Sequence, residues 1–164
     1  MKALLVLALA LAPLTLAAQE VATADVSDDT GIPASDLSVI ERWQADPAQV
    51  FDAAEVTLSE LLFVARPVVV FADSPSDPRF TEQLALLAAD VTGLVARDVI
   101  VIADSDPAAQ SDARARLRPR GFGLVVIGKD GRVAQRKPAP WSVREIVRAI
   151  DKLPLRQQEI REGR

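Results

Sequence analysis

Pro67-Val68-Val69-Val70-Phe71-Ala72-Asp73-Ser74-Pro75-Ser76-Asp77-Pro78 is the stretch on which the reading of this chain turns. Its first half is apolar throughout and rich in valine, as expected of a strand covered on both faces. The polar loop that follows closes on Asp77-Pro78, an N-cap with proline at the first helical position. Beyond it Phe80, Leu84, Leu87, Ala88 and Val91 share one helical face, and Gly93 is expected to end that helix. Val99-Ile100-Val101-Ile102-Ala103 predicts a second buried strand. Asp106-Pro107 then repeats the start signal and predicts a helix to about Leu117. A strand-helix-strand unit of this kind implies a parallel pair with a right-handed crossover.

Working outward, Gly123 to Ile127 and Arg132 to Arg136 predict two strands joined by Gly128-Lys129-Asp130-Gly131. Asp-Gly between two such runs is a hairpin signal. Ser142 and Glu145 form a capping box, with Trp141 and Ile146 where a hydrophobic staple belongs. Val143, Ile146, Val147 and Ile150 make the buried stripe of this last helix, and Pro154 is expected to stop it. Upstream, Thr57-Leu58-Ser59-Glu60 has capping-box spacing and predicts a short helix through Val64. The order β-α-β-α-β-β-α predicts an α/β domain with a mixed sheet and helices on both faces, and it resembles the element order of a thioredoxin-like three-layer sandwich.

That fold keeps its redox thiol just after the Pro67 strand, where a helix N-terminus lowers a thiol's pKa. The chain has no cysteine and no histidine. Thiol-disulfide exchange, thiol peroxidase chemistry, Ser-His-Asp catalysis and histidine-ligated metals are therefore excluded for its own side chains.

Met1-Lys2 and the apolar run from Ala3 to Leu16 read as a secretory signal peptide, with cleavage expected after Ala17 or Ala18. The run falls short of the roughly 20 residues that span a bilayer, so no transmembrane anchor is expected after cleavage. The expected organisation is a signal peptide over 1–18, an acidic flexible leader over 19–56, the domain over 57–159 and a charged tail over 160–164. The expected location is periplasmic or secreted. Within the leader, Trp43 is expected to dock on the domain. Charge is unevenly spread: Gln19 to Glu60 holds ten acidic residues against Arg42, and Leu61 to Arg164 holds seventeen basic against thirteen acidic. Such a split fits either a basic face for an anionic partner or ordinary solvated surface. Nucleic acid is not expected as a partner, because no aromatic residues interleave the arginines.

Two groups of residues carry candidate chemistry. Asp73, Ser74 and Asp77 follow the first strand, while Asp104 and Asp106 follow the second. The carboxyl ends of parallel strands are where open sheets bind ligands. Gathered there, these carboxylates would suit a hard cation. Asp77 and Asp106 read equally well as helix caps, and Asp73 and Ser74 as turn residues. Ser74 and Ser76 lack a histidine base, with Lys129 the nearest lysine. The second group is Arg114, Arg116, Arg118 and Arg120, placed to meet an anionic ligand or an envelope protein, or else to favour a helix C-terminus. No cofactor, bound metal or catalytic residue is expected. Arg156-Gln157-Gln158-Glu159-Ile160-Arg161 reads as a helical continuation on the sheet or as a partner-binding tail, with Asp98 a possible acid for Arg156.

Ile127-Gly128-Lys129-Asp130-Gly131 and Ile150-Asp151-Lys152-Leu153-Pro154-Leu155-Arg156-Gln157-Gln158-Glu159 resemble the end of an uncharacterised bacterial thioredoxin-like family, domain of unknown function 4174, of the DUDES type. Arg66-Pro67, Gln83 and Arg97-Asp98 also resemble that family's pattern, and the match runs from Leu58 to Glu159. The resemblance implies the thioredoxin-like fold and export, and supplies no catalytic residue. Redox thioredoxins set a cis-proline directly before the third strand, whereas here Arg120-Gly121-Phe122 separates Pro119 from it. The resulting expectation is an exported, non-redox binding module of the cell envelope. The alternative is a cation-dependent hydrolase or transferase using the strand-end aspartates.

Overall fold

In the computed structural model, which describes residues 37–163, the valine-rich runs form the middle of the sheet. Strands β2 (Arg66–Phe71) and β3 (Val99–Asp104) pair in parallel, from Arg66 opposite Val99 to Phe71 opposite Asp104. Strand β4 (Gly123–Ile127) lies antiparallel on the other side of β2, and β5 (Val133–Lys137) is its hairpin partner. A further strand, β1 (Val50–Asp52), pairs in parallel with β3 and completes the order β1-β3-β2-β4-β5. The expected signal peptide and the leader as far as residue 36 lie outside the described residues.

Side chains alternate across a strand, so each valine-rich run feeds two cores at once. Val69, Phe71, Ile100 and Ile102 point to one face, with Trp43, Leu61 and Leu117. Val68, Val70, Val99 and Val101 point to the other, with Phe80, Leu87, Ile146 and Ile150. Both faces being covered is why neither run shows polar alternation. The first face carries α1 (Val39–Ala45) and α4 (Asp112–Leu117); the second carries α2 (Pro78–Ala88), α3 (Val91–Val95) and α5 (Val143–Ile150). The last helix, α6 (Pro154–Arg161), begins at the proline that stops α5 and runs through Arg161. It therefore takes in Ile160 and Arg161 from the expected tail.

Part of the expected leader is built into the domain. Ser38 and Glu41 make a capping box that starts α1, and Phe51 of β1 is buried. Trp43 is 8% exposed and its indole Nε1 donates to the Val99 carbonyl at 3.1 Å. Trp43→Phe, which deletes that bond and strands a buried acceptor, is expected to cost about 1–2 kcal/mol by chemical denaturation.

Three local expectations are corrected. Thr57 makes no capping hydrogen bond, and only a 3-10 turn forms over Leu58–Leu61; the Leu58 N–H donates to Asp112 instead, at 2.9 Å. Gly93 does not end α2. It lies inside α3, where its N–H donates to the N-cap Asp90 at 3.0 Å. Asp106 caps only the 3-10 turn Pro107–Ala109, because Gln110 turns left-handed (φ 47°); Ser111 then caps α4.

Candidate functional site

The loops after β2 and β3 and the loop before β4 converge at one end of the sheet. Asp104, the buried last residue of β3, accepts from Ser111 Oγ at 2.5 Å, Arg114 Nη2 at 2.6 Å and Arg114 Nε at 2.9 Å. Arg114 Nη2 also donates to the Ala72 carbonyl at 2.7 Å, and Nη1 lies 3.4 Å from Asp73. The guanidinium sits over the Phe71 ring, 5.6 Å from its centre. Arg114 thus ties α4 to the ends of β2 and β3 and neutralises the acid that sequence alone offered as a ligand.

The other acids of the group serve local structure. Asp77 caps α2 through the Arg79 N–H at 2.9 Å, and the hydrogen bond from the Arg79 side chain holds its carboxyl below the usual range. Asp106 accepts from the Ala108 N–H, and Ser74 Oγ from the Ser76 N–H. Asp73 is exposed. Among the described residues, no three acidic side chains are gathered to hold a metal ion.

The arginine row divides. Arg114 turns inward, and Arg116 pairs with Asp112 at 2.7 Å across one helical turn. Arg118 takes the left-handed C-cap of α4 (φ 48°, ψ 58°). No L side chain favours that conformation, and Pro119 then forbids another helical turn. The turn projects Arg118 and Arg120 into solvent, and neither makes an ion pair among the described residues. They border a pocket of about 220 Å³ with Phe71, Phe122, Arg136 and Lys137. Arg136 is steadied by donation to the Leu117 carbonyl at 2.9 Å, and Lys137 lies over the Trp141 ring at 4.2 Å. Gly121 has φ +64°, and a Cβ there would sit 3.8 Å from Asp73. The Arg120 loop and the Asp73 loop therefore adjoin. No peptide bond among the described residues is cis.

The opposite end of the sheet holds an ion network that site reasoning from sequence missed. Arg66 is 1% exposed; it donates to Glu159 at 2.7 Å and to the Arg97 carbonyl at 2.7 Å. Lys129 pairs with Asp98 at 2.7 Å and lies 3.3 Å from Glu159. Arg156 reaches Glu159 at 3.1 Å, and Arg97 holds Asp151 through two bonds of 2.8 Å. Burial opposes the charge on Glu159, but hydrogen bonds from Arg66 and Arg156, with the charges of Arg66 and Lys129, outweigh it and lower its pKa to about 2. On the helical face, buried Gln83 accepts from the Trp141 N–H at 2.7 Å and donates to its carbonyl at 3.0 Å. The residues that carried the family resemblance are thus largely the ones that fasten α5 and α6 to the sheet. The signal was in the sequence; the pairing across 93 positions was not.

Strand order, crossover and helices on both faces define a thioredoxin-like domain, and this one has no thiol. Among solved structures it is similar to the reduced 2-Cys peroxiredoxin of Plasmodium vivax, with a TM-score of 0.52 and 13% identity, over 63% of this chain and 85% of that one. It is also similar to the reduced desulfothioredoxin of Desulfovibrio vulgaris Hildenborough, with a TM-score of 0.46 and 20% identity, over 63% and 96%. A search of curated proteins returns no match. The model of the family described as Domain of unknown function (DUF4174) matches residues 57–159, and the chain belongs to that family.

Proposed function

We propose that this protein is an exported binding module, which engages an anionic segment of an envelope protein through the Arg118–Arg120 loop. The observation that carries this reading is the pair of exposed arginines without acid partners beside the Phe71 and Phe122 pocket. Exposed guanidinium groups suit carboxylate recognition by charge-assisted hydrogen bonds, and Pro119 and Pro138 line the same pocket beside the buried phenylalanines. The hydrolase alternative draws no comparable support, because Asp104 is already neutralised by Arg114 and three of its companions cap or close turns.

Affinity capture from intact cells tests the reading, comparing the tagged protein with Arg118→Glu/Arg120→Glu. One enriched envelope protein is expected, at least 10-fold depleted by the charge reversal and weakened by salt. Equal recovery with both forms contradicts it. Export is checked by fractionation: the cleaved chain is expected with the envelope fraction, and an uncleaved cytosolic chain would remove that part of the proposal.

A further inference from the structure

Exposed apolar side chains gather at the end of the sheet away from the arginine loop. Of the six large ones among the described residues, Leu62, Phe63 and Val133 meet around the β4–β5 turn, 40%, 71% and 41% exposed. Phe63 and Val133 line one hollow of about 560 Å³, and Leu62 lines another of about 370 Å³. The two adjoin, because Gly128, Lys129 and Asp130 border both. A contiguous apolar patch of this kind marks an interaction surface.

Phe63 is displayed there at a cost to the fold. Its backbone is left-handed (φ 60°), a region that bulky side chains disfavour. Two contacts fix it nonetheless. The Phe63 N–H donates to the Lys129 carbonyl at 2.7 Å, and Leu62 Cδ2 lies 2.7 Å from where a Cβ on Gly131 would stand. Only glycine at position 131, with φ +77°, leaves room for that approach. The ring is preset to project, and at 71% exposure the domain itself gains little from it.

Charge and shape select the occupant. Arg66 and Lys129 are already taken by Glu159 and Asp98. The remaining charges about the patch are balanced, with exposed Arg132 and Arg161 against exposed Asp130 and Glu60. The Arg132 guanidinium, 89% exposed, reaches Asp130 only at 3.8 Å. Glu60, on the turn that leads into Leu62, makes no ion pair among the described residues. A partner of one charge sign finds no complement here, whereas a second copy brings acids and bases in equal number. A projecting ring beside a hollow is also self-complementary: a two-fold axis sets each ring in the other copy's hollow.

We infer that this patch joins two copies of the chain in an isologous dimer, with Phe63 of each packed against Val133 and Leu155 of the other. The arginine loop lies at the opposite end of the sheet and stays clear of this interface, so either proposal can fail alone.

Sedimentation velocity on the protein purified from its own cells, run over a dilution series, tests this. A dimer is expected at about 0.1 mM, where a micromolar association is saturated, with dissociation on dilution. Amide shifts that change with concentration are expected at Leu62, Phe63, Val133 and Leu155. Phe63→Asn, which removes the ring and keeps a residue tolerant of the left-handed backbone, is expected to weaken the dimer at least 10-fold. Its melting temperature at high dilution should be no lower than that of the wild type, which separates lost association from lost folding. Val133→Asp should weaken association at least 10-fold as well, and Arg118→Glu/Arg120→Glu should leave it unchanged. A monomer at every concentration, a dimer indifferent to Phe63→Asn and Val133→Asp, or shifts confined to another surface would each overturn the inference. So would a Phe63→Asn chain that melts lower at high dilution, because the ring would then serve its own fold.

Discussion

Glu159→Gln is expected to destabilise the domain by about 3 kcal/mol, the lower end of the range for breaking a buried ion pair. The substitution leaves the Arg66 guanidinium in the interior without its carboxylate, although Asp98 at 3.6 Å retains part of the compensation. The pH dependence follows from the sign of the shift. The folded pKa, about 2, lies below the ordinary 4.5, so the unfolded chain takes up the proton first as pH falls. The stabilisation is complete above about pH 4.5 and drains away between there and about pH 2. Urea denaturation across that window should show a slope in the wild type that Glu159→Gln reduces, the remainder coming from other lowered carboxyls such as Asp77 and Asp151. Identical midpoints and slopes would mean that the network does not fasten α6. Arg66→Met should be comparably damaging alone, and Arg66→Met/Glu159→Leu less damaging than the sum, because both charges then leave together.

Asp104→Ala should also cost about 3 kcal/mol. It removes the acceptor of two Arg114 bonds and of the Ser111 hydroxyl in a buried corner. Arg114→Met is expected to be similar, because it strands the carboxylate. The double variant should fall short of additivity by about 1–3 kcal/mol, as for any contacting pair. The same experiment separates a structural corner from a cation site. Millimolar Mg²⁺ or Ca²⁺ should leave the wild-type melting temperature unmoved, since Arg114 already supplies the positive charge. A rise of several degrees that Asp104→Ala abolishes would be the linkage signature of bound metal and would contradict this account.

The central strands, the hairpin and the α5 capping box were readable because each rests on local physics: apolar runs, turn residues, caps within four positions. The misreadings share a cause, which is tertiary context overriding a local signal. Thr57 has the spacing of a cap, but Asp112, distant in sequence, takes the Leu58 N–H. Asp106-Pro107 starts a turn that Gln110 breaks. The Ser38–Glu41 box equals the Ser142–Glu145 box in chemistry, and lay unread because acidic residues around it suggested a leader. At the candidate site, sequence placed Asp104 and Arg114 in different groups with different roles. Only folding shows that each is the other's partner. What survives of the arginine row is Arg118 and Arg120, and that division depends on a left-handed helix cap that no spacing rule encodes.

The edge proposed to meet a partner is the one formed by Arg118 and Arg120. Its most direct test places a photoreactive residue at position 120, with the exposed α5 position 144 as control, and irradiates intact cells. One discrete adduct is expected from position 120 and none from position 144. That adduct is expected to be lost in about 0.5 M salt, where exposed charges are screened within a few ångströms. Adducts from position 144 alone, or the same adduct from both positions, would contradict the proposal.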